Sequence, residues 1–433
     1  MLASWVDVRG EVQVAEGPGG GAYTGYGRVE ARLGSALHGW RSAQVLAADG
    51  ESPITAVGGN GTAAVAWCRR PKNDIRLIYV SIASPGGQFG PARYLRTSGH
   101  YPTSCPQALE VQPDGRVVVI WSQPLEYSGI PLRSRVQFAL LSPGGGRPLI
   151  GTVSSQVPGE VDPSAAETEA GDVLLALGQE GAEGPQSVAQ LEPGADSFGS
   201  PQVIEPAGNA IIRGARISAG PGGAALVFSL DPEEADGEAT VDDVVEQGPD
   251  GAFGPPVAIV RQPAVPAGNE LLPEGADVAF PVGGAGAAAW REAFVGPASG
   301  LIGEREPIGP GAVVVAMRPS GAASYQAPVQ VSVGAGRPGS PLSASAGAST
   351  VVIWAEAERG CKQLVYGTIL TAGTPPAPGL PLSGSYRAGR GECAAGSGQL
   401  ALAGSSADAV AAWVENSALH VTSTADARSS PTN

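Results

Sequence analysis

Four cysteines and three histidines stand out among 433 residues as the side chains whose type and spacing could do chemistry. Cys68 follows one apolar run and Cys105 precedes the next, and Cys361 and Cys393 occupy the same two places in a different part of the chain. Two pairs at equivalent positions predict two disulfides, Cys68–Cys105 and Cys361–Cys393, which persist only in an oxidising compartment. Four buried thiols or a metal site is the alternative, although the spacings do not match zinc knuckles. His38, His100 and His420 are isolated, so a histidine-based triad has little material. His420 alternates with apolar residues and reads as structural. No HExxH, GxSxG or GxxxxGK[ST] pattern occurs, and no catalytic residue is assigned. Asp231, Glu233 and Asp236, followed by Gly237, offer oxygen ligands to calcium. Their spacing departs from the EF-hand and lacks its closing Glu, so a solvated acidic loop is the alternative and no other cofactor is expected.

The elements that must position these residues follow from the tryptophans. Trp5, Trp67, Trp121, Trp290, Trp354 and Trp413 form a ladder whose two gaps are filled by Leu177 and Phe228, with steps of 51 to 64 residues. Each rung ends a short apolar run such as AAVAW, RVVVIW or TVVIW. One strand is repeated eight times. Around it the clearest unit reads as four strands, a to d: SPITAVGG, a turn at Asn60-Gly61, TAAVAW, a polar loop, IRLIYVSI, a turn at Pro85-Gly86-Gly87, and FGPARYL. This is the alternation and turn chemistry of antiparallel hairpins. Helical periodicity is nearly absent. The expected fold is an all-β propeller of four-stranded antiparallel blades, in one domain over 1–424 with a disordered tail at 425–433. The repeats span about 1–47, 53–95, 107–153, 163–204, 213–260, 276–332, 342–383 and 398–422. A stack of β-sandwiches needs about 90 to 100 residues per domain, more than the ladder step.

Eight b and eight c strands but seven a and seven d strands are counted, which leaves the first and last blades incomplete. The expectation is that a d–a segment and an export signal precede Met1; a seven-bladed ring with competing terminal strands is the alternative. Loops on one face of a rigid scaffold carry function, and here the b–c loops are the long ones. The ligand-face candidates on that side are Arg69, Arg70, Asp74, Glu126, Tyr127, Arg291, Glu292 and Glu356, each of which also reads as an ordinary solvated loop residue.

Composition restricts the partners. The net charge of −15 and the lack of a basic stripe argue against nucleic acid. No apolar stretch approaches the roughly 20 residues of a membrane span. The 64 glycines and 39 prolines fall between β-branched runs and read as turns.

The pattern G-x-x-x-V-x-W on strand b, with turns such as Gly87-Gln88-Phe89-Gly90-Pro91 and Gly251-Ala252-Phe253-Gly254-Pro255, resembles the secreted propeller repeats of high-GC actinobacteria. Both turns lack the spacer before proline of the G-x-F-G-x-P form. Sialidases are similar in architecture, with an S-x-D-x-G-x-x-W box at the c–d turn. Here the Ser-x-Asp is missing from every such turn, and no arginine triad, Tyr–Glu pair or acid Asp carries over. The resemblance implies an extracellular or cell-surface propeller, expected to be monomeric, that binds a protein or glycan. A glycan-active hydrolase and a sensory or structural domain of a larger secreted protein are the alternatives. The missing motifs weigh against an enzyme without deciding the matter.

Overall fold

The computed structural model describes residues 2–7, 27–35, 39–69, 76–95, 104–127, 131–158, 161–179, 182–183, 186–204, 210–232, 241–248, 251–261, 270–295, 311–322, 324–333, 336–358, 362–383, 386–387, 400–404, 409–415 and 418–423. Among them every regular element is a β-strand and every ladder is antiparallel, so no helix is long and apolar enough to cross a membrane. The chain divides into two compact units, residues 1–182 with 186–203, and residues 183–185 with 204–433.

In the first unit the four-stranded grammar is plainest in the third repeat. Ala108–Val111, Val117–Tyr127, Pro131–Leu141 and Leu149–Pro158 pair in chain order. The b strands are apolar on both faces because both are covered. Ala63, Ala64, Val65, Ala66, Trp67 and Cys68 are all buried, as are Val117 through Trp121. The alternation of half-buried strands is replaced there by continuous runs. One face of the second repeat packs on the third through Ile78, Val80, Leu109, Val119 and Trp121. The opposite face of the third packs on the fourth through Ile120, Phe138, Val161 and Leu175. The d strands of the second and fourth repeats, Arg93–Leu95 and Gln202–Ile204, are short and partly exposed.

The turns are those expected from their residues. Gly61, Gly115 and Gly171 close successive a–b hairpins at φ of 86°, 87° and 88°, a region that favours glycine. The side chains of Asn60 and Asp114 accept hydrogen bonds from the Thr62 and Arg116 amides at 2.8 and 2.9 Å, the Asx turn that these residues favour.

The junction of the first two repeats departs from the sequence-based boundaries at 47 and 53. Gln44–Val57 is one strand: its first half pairs with Gly27–Ser35 and its second half with Ala63–Arg69. The segment between the expected strands carries Asp49-Gly50, a turn dipeptide, yet the chain runs on extended through it. The offset is absorbed by a register shift between Glu51 and Ile54 and by Ser52 at φ 49°. Gly50 is required there, since a Cβ on it would lie 2.6 Å from Val29 Cγ2 and 2.8 Å from Trp67 Cδ1.

Polar side chains stitch neighbouring repeats at their outer turns. Arg41 donates to the carbonyls of Gly86 and Gly87 at 3.0 and 2.7 Å, and Arg93 donates to that of Ser142 at 3.2 Å. Each links the start of a d strand to the c–d turn of the next repeat.

The second unit repeats the pattern. Ala210–Gly220, Gly223–Pro232, Val241–Glu246 and Val257–Arg261 pair in order, as do Glu270–Ala279, Gly286–Val295, Ala312–Arg318 and Val329–Gln330. Leu342–Ala346, Ser349–Glu358, Lys362–Thr371 and Leu380–Pro381 form the next set, and three strands follow at Leu400–Gly404, Ala409–Glu415 and Ala418–Ser423. Trp290 and Trp354 are fully buried, as are Trp67 and Trp121 in the first unit. Leu177 is buried too, so these five rungs are core residues. The indole of Trp354 lies against Tyr366, with ring centroids 5.8 Å apart, and beneath Gly379, where any Cβ would collide with it.

Candidate functional site

Residues at the ends of b strands are held by local partners. The Arg69 guanidinium reaches the Asp49 carboxylate at 2.6 Å and lies 5.3 Å from the ring centre of Tyr79, which stacks on Trp67. Glu126 pairs with Arg133 at 3.8 Å, both more than half exposed, an arrangement that contributes little in water. Glu356 is buried, and its carboxylate accepts a hydrogen bond from the Gly336 amide at 3.0 Å. Arg291 and Glu292 are consecutive on one strand, opposite Val313 and Ala312, and so point to opposite faces. Tyr127 ends its strand opposite Pro131. Arg70 and Asp74 lie outside the described residues, as do Glu233, Asp236 and the side chain of Asp231. Within the first unit, Arg69 pairs with Asp49 and Glu126 with Arg133.

The described cysteines are joined. Cys68, at the end of a b strand, and Cys105, just before the next a strand, form a disulfide with a Cα–Cα distance of 5.4 Å. Chain entropy over the 37-residue separation gives a stabilisation of about 4 kcal/mol. Cys361 and Cys393 lie outside the described residues.

The site that motif searching passes over lies on the a strands. In Ala108–Val111, Leu109 and Val111 pack toward the second repeat, so Glu110 points the other way, toward the fourth. In the facing strand, Val161–Glu167, Ala165 packs into that same seam, and Glu167, two residues on, follows it. Two carboxyls therefore lie on the seam between the third and fourth repeats, each partly open to water, and the charge of Glu167 reaches Glu110. Neither has a hydrogen-bond or ion-pair partner among the described residues. The nearby Arg116 is engaged by Asp114 at 3.0 Å and by the Ala195 carbonyl at 2.8 Å.

Isolation of this kind raises the affinity for protons. Burial, reinforced by the charge of Glu167, pushes the Glu110 carboxyl well above the carboxylate range. Burial, with Asp114 adding repulsion, pushes Glu167 up to about 7. A carboxyl that keeps its proton presents an O–H donor as well as an acceptor, and both acids are shifted in that direction. On the next residues of the strand, the buried Gln112 donates from its amide to the Gly171 carbonyl at 3.2 Å and fixes the seam below the pair.

An acid at the corresponding seam of the second unit is handled differently. Asp277, between the buried Ala276 and Val278, accepts from the Val278 amide at 3.0 Å and from the Ser343 amide of the next repeat at 2.7 Å. Burial raises its pKa, and the Ser343 amide, the charge of Arg216, the Ser343 hydroxyl and the Val278 amide pull it back. Sequence reading missed Glu110, Glu167 and Asp277. The available signal was an acid inside the apolar alternation of an a strand, in ALEV, AAET and ADVAF.

No family model matches the chain, and no curated protein does. Solved structures do. The chain is similar to a PL25 polysaccharide lyase, an ulvan lyase bound to -[GlcA(1-4)Rha3S]-, at 10% identity and TM-score 0.51 over 84% of this chain and 90% of that one. A protein of unknown function from Dyadobacter fermentans is 12% identical over 74% of this chain and 94% of that one, with TM-score 0.43. A Trypanosoma rangeli sialidase is 10% identical over 79% of this chain and 57% of that one, with TM-score 0.36. The likeness to the lyase is one of fold, and that fold is of the propeller type.

Proposed function

We propose that the chain is a β-propeller of eight repeats, working at the cell exterior, that binds a glycan through the seam holding Glu110 and Glu167. The observation that carries this reading is the two acids on one seam: both partly buried, without a cation partner among the described residues, and with their proton affinities raised by burial and by neighbouring carboxylate charge. Together they offer donor and acceptor oxygens on one seam, which suits the vicinal hydroxyls of a sugar. The disulfide accords with an oxidising compartment, and the propeller-type fold is one that proteins acting on glycans use. Charge narrows the ligand. At a net charge of −15 and with two acids at the site, an uncharged or amino-bearing glycan is favoured over a sulfated or uronic one.

Titration calorimetry against a panel of neutral, amino-bearing and acidic oligosaccharides tests the reading. Saturable binding that weakens at least tenfold in Glu110→Gln and Glu167→Gln supports it. Absence of binding across the panel, or affinity unchanged in both variants, overturns it.

A second reading, hydrolysis of a glycan, is favoured by the position of Glu167 near 7, where a carboxyl serves as a general acid at neutral pH. Release of reducing ends by the wild type, with a bell-shaped pH profile abolished in Glu167→Gln, distinguishes catalysis from binding alone.

A further inference from the structure

Glu51 is, like Glu356, an acid that the fold buries, and its surroundings are unusual. It lies in the continuous strand Gln44–Val57, directly opposite Cys68, and is only 7% exposed. One carboxylate oxygen stands 3.7 Å from the Cys105 sulfur, and the Arg76 guanidinium lies 3.6 Å from the same oxygen. The ligand atoms of Glu51, Cys68 and Cys105 all fall within 4.8 Å of one another. A carboxylate beside a disulfide gains no hydrogen bond from it, because the bonded sulfurs carry no proton.

The same three atoms have the spacing of a metal site. With Zn–S of about 2.3 Å and Zn–O of about 2.1 Å, a tetrahedron has an S···O edge of about 3.6 Å and an S···S edge of about 3.8 Å. The carboxylate–Cys105 separation already matches the first edge. The second edge needs only that the sulfur–sulfur bond be broken and the two side chains turn apart, their Cα atoms remaining 5.4 Å apart. The protein around the three atoms is rigid: Cys68 is fully buried within a b strand, and Leu109, Trp121 and Ile78 pack in the same cluster.

We propose that Glu51, Cys68 and Cys105 form a redox-gated zinc site, a disulfide in the oxidised chain and a three-ligand centre for a borderline divalent cation in the reduced one. A dithiol or phosphine reductant supplies the two electrons. A dithiol becomes its own cyclic disulfide, and a phosphine becomes the phosphine oxide with oxygen from water. The two protein thiols then lose their protons to solvent as the cation binds, and water takes the fourth position. The site carries one net negative charge with zinc bound, which Arg76 offsets.

The test uses the full chain carrying Cys361→Ser and Cys393→Ser, so that only one cysteine pair remains. Oxidised and phosphine-reduced samples are titrated with zinc, and with cobalt for its thiolate-to-metal absorption, while circular dichroism follows the fold. The expected result is one zinc per reduced chain and none per oxidised chain, a cobalt–thiolate band, and affinity at least tenfold weaker in Glu51→Gln. No stoichiometric zinc, an affinity equal to wild type in Glu51→Gln, or a reduced chain that zinc does not keep folded overturns the proposal.

Discussion

Two seams of the molecule carry an acid on the inner strand and treat it in opposite ways. At Asp277 the neighbouring repeat offers a backbone amide from Ser343, and the carboxylate is drawn into the hydrogen bonding that holds the two strands together. At Glu110 the neighbouring repeat offers another acid, Glu167, and among the described residues no cation pairs with either. The first acid belongs to the structure. The second costs the structure stability, and perturbed acids of this kind are enriched at functional sites.

Removing each acid separates the two cases most sharply. Asp277→Ala strands two buried amides and is expected to destabilise by about 3 kcal/mol, from two charge-assisted hydrogen bonds of roughly 1.5 kcal/mol or more each. Glu110→Ala strands no donor and is expected to leave the urea midpoint unchanged or higher. Equal losses in the two variants would erase the distinction.

Acidity probes the same contrast with a smaller effect. Glu167 has its folded pKa raised from 4.5 to about 7, so the unfolded chain gives up that proton first as pH rises. Its contribution to stability is intact below pH 4.5 and falls away between there and about 7. Glu110 shifts in the same direction. Urea midpoints measured across that range are expected to decline in the wild type and to flatten in the Glu110→Gln, Glu167→Gln double variant; an undiminished slope in the double variant would show that the pair is not the source. The smallest effect belongs to Arg216, an exposed residue whose charge favours the Asp277 carboxylate. Arg216→Gln is expected to change stability by less than about 1 kcal/mol at pH 7, as exposed ion pairs do, which a careful denaturation series can resolve.

Much of this architecture was legible in the residues. The apolar runs before Trp67, Trp121, Trp290 and Trp354 are buried strands, and Asn60-Gly61 and Asp114-Gly115 are tight turns, because burial and glycine conformation are local consequences of type and spacing. The Cys68–Cys105 bond was legible because Cys361 and Cys393 repeat the same two positions elsewhere in the chain. Other features were not legible. That Gln44–Val57 would run unbroken depends on Gly50 fitting against Trp67 and Val29, a contact between residues far apart in sequence. Glu110 and Glu167 were passed over because each is ordinary alone and becomes unusual only when two strands, more than 50 residues apart in the chain, face each other. Arg69 and Glu126 were chosen for exposure and charge, and nearby Asp49 and Arg133 satisfy them first.

The unbroken strand Gln44–Val57 bears on how the molecule moves. Among the described residues of the first unit, the second, third and fourth repeats meet through side chains and turns, which allow one sheet to rock against the next. Here two repeats share a single rod of backbone, and one cannot twist without carrying the other. In a chain of nearest-neighbour units this is the stiffest coupling. Within the first unit, slow opening motions should therefore begin at the seam of Glu110 and Glu167, and the first two repeats should exchange their amide hydrogens as a single block.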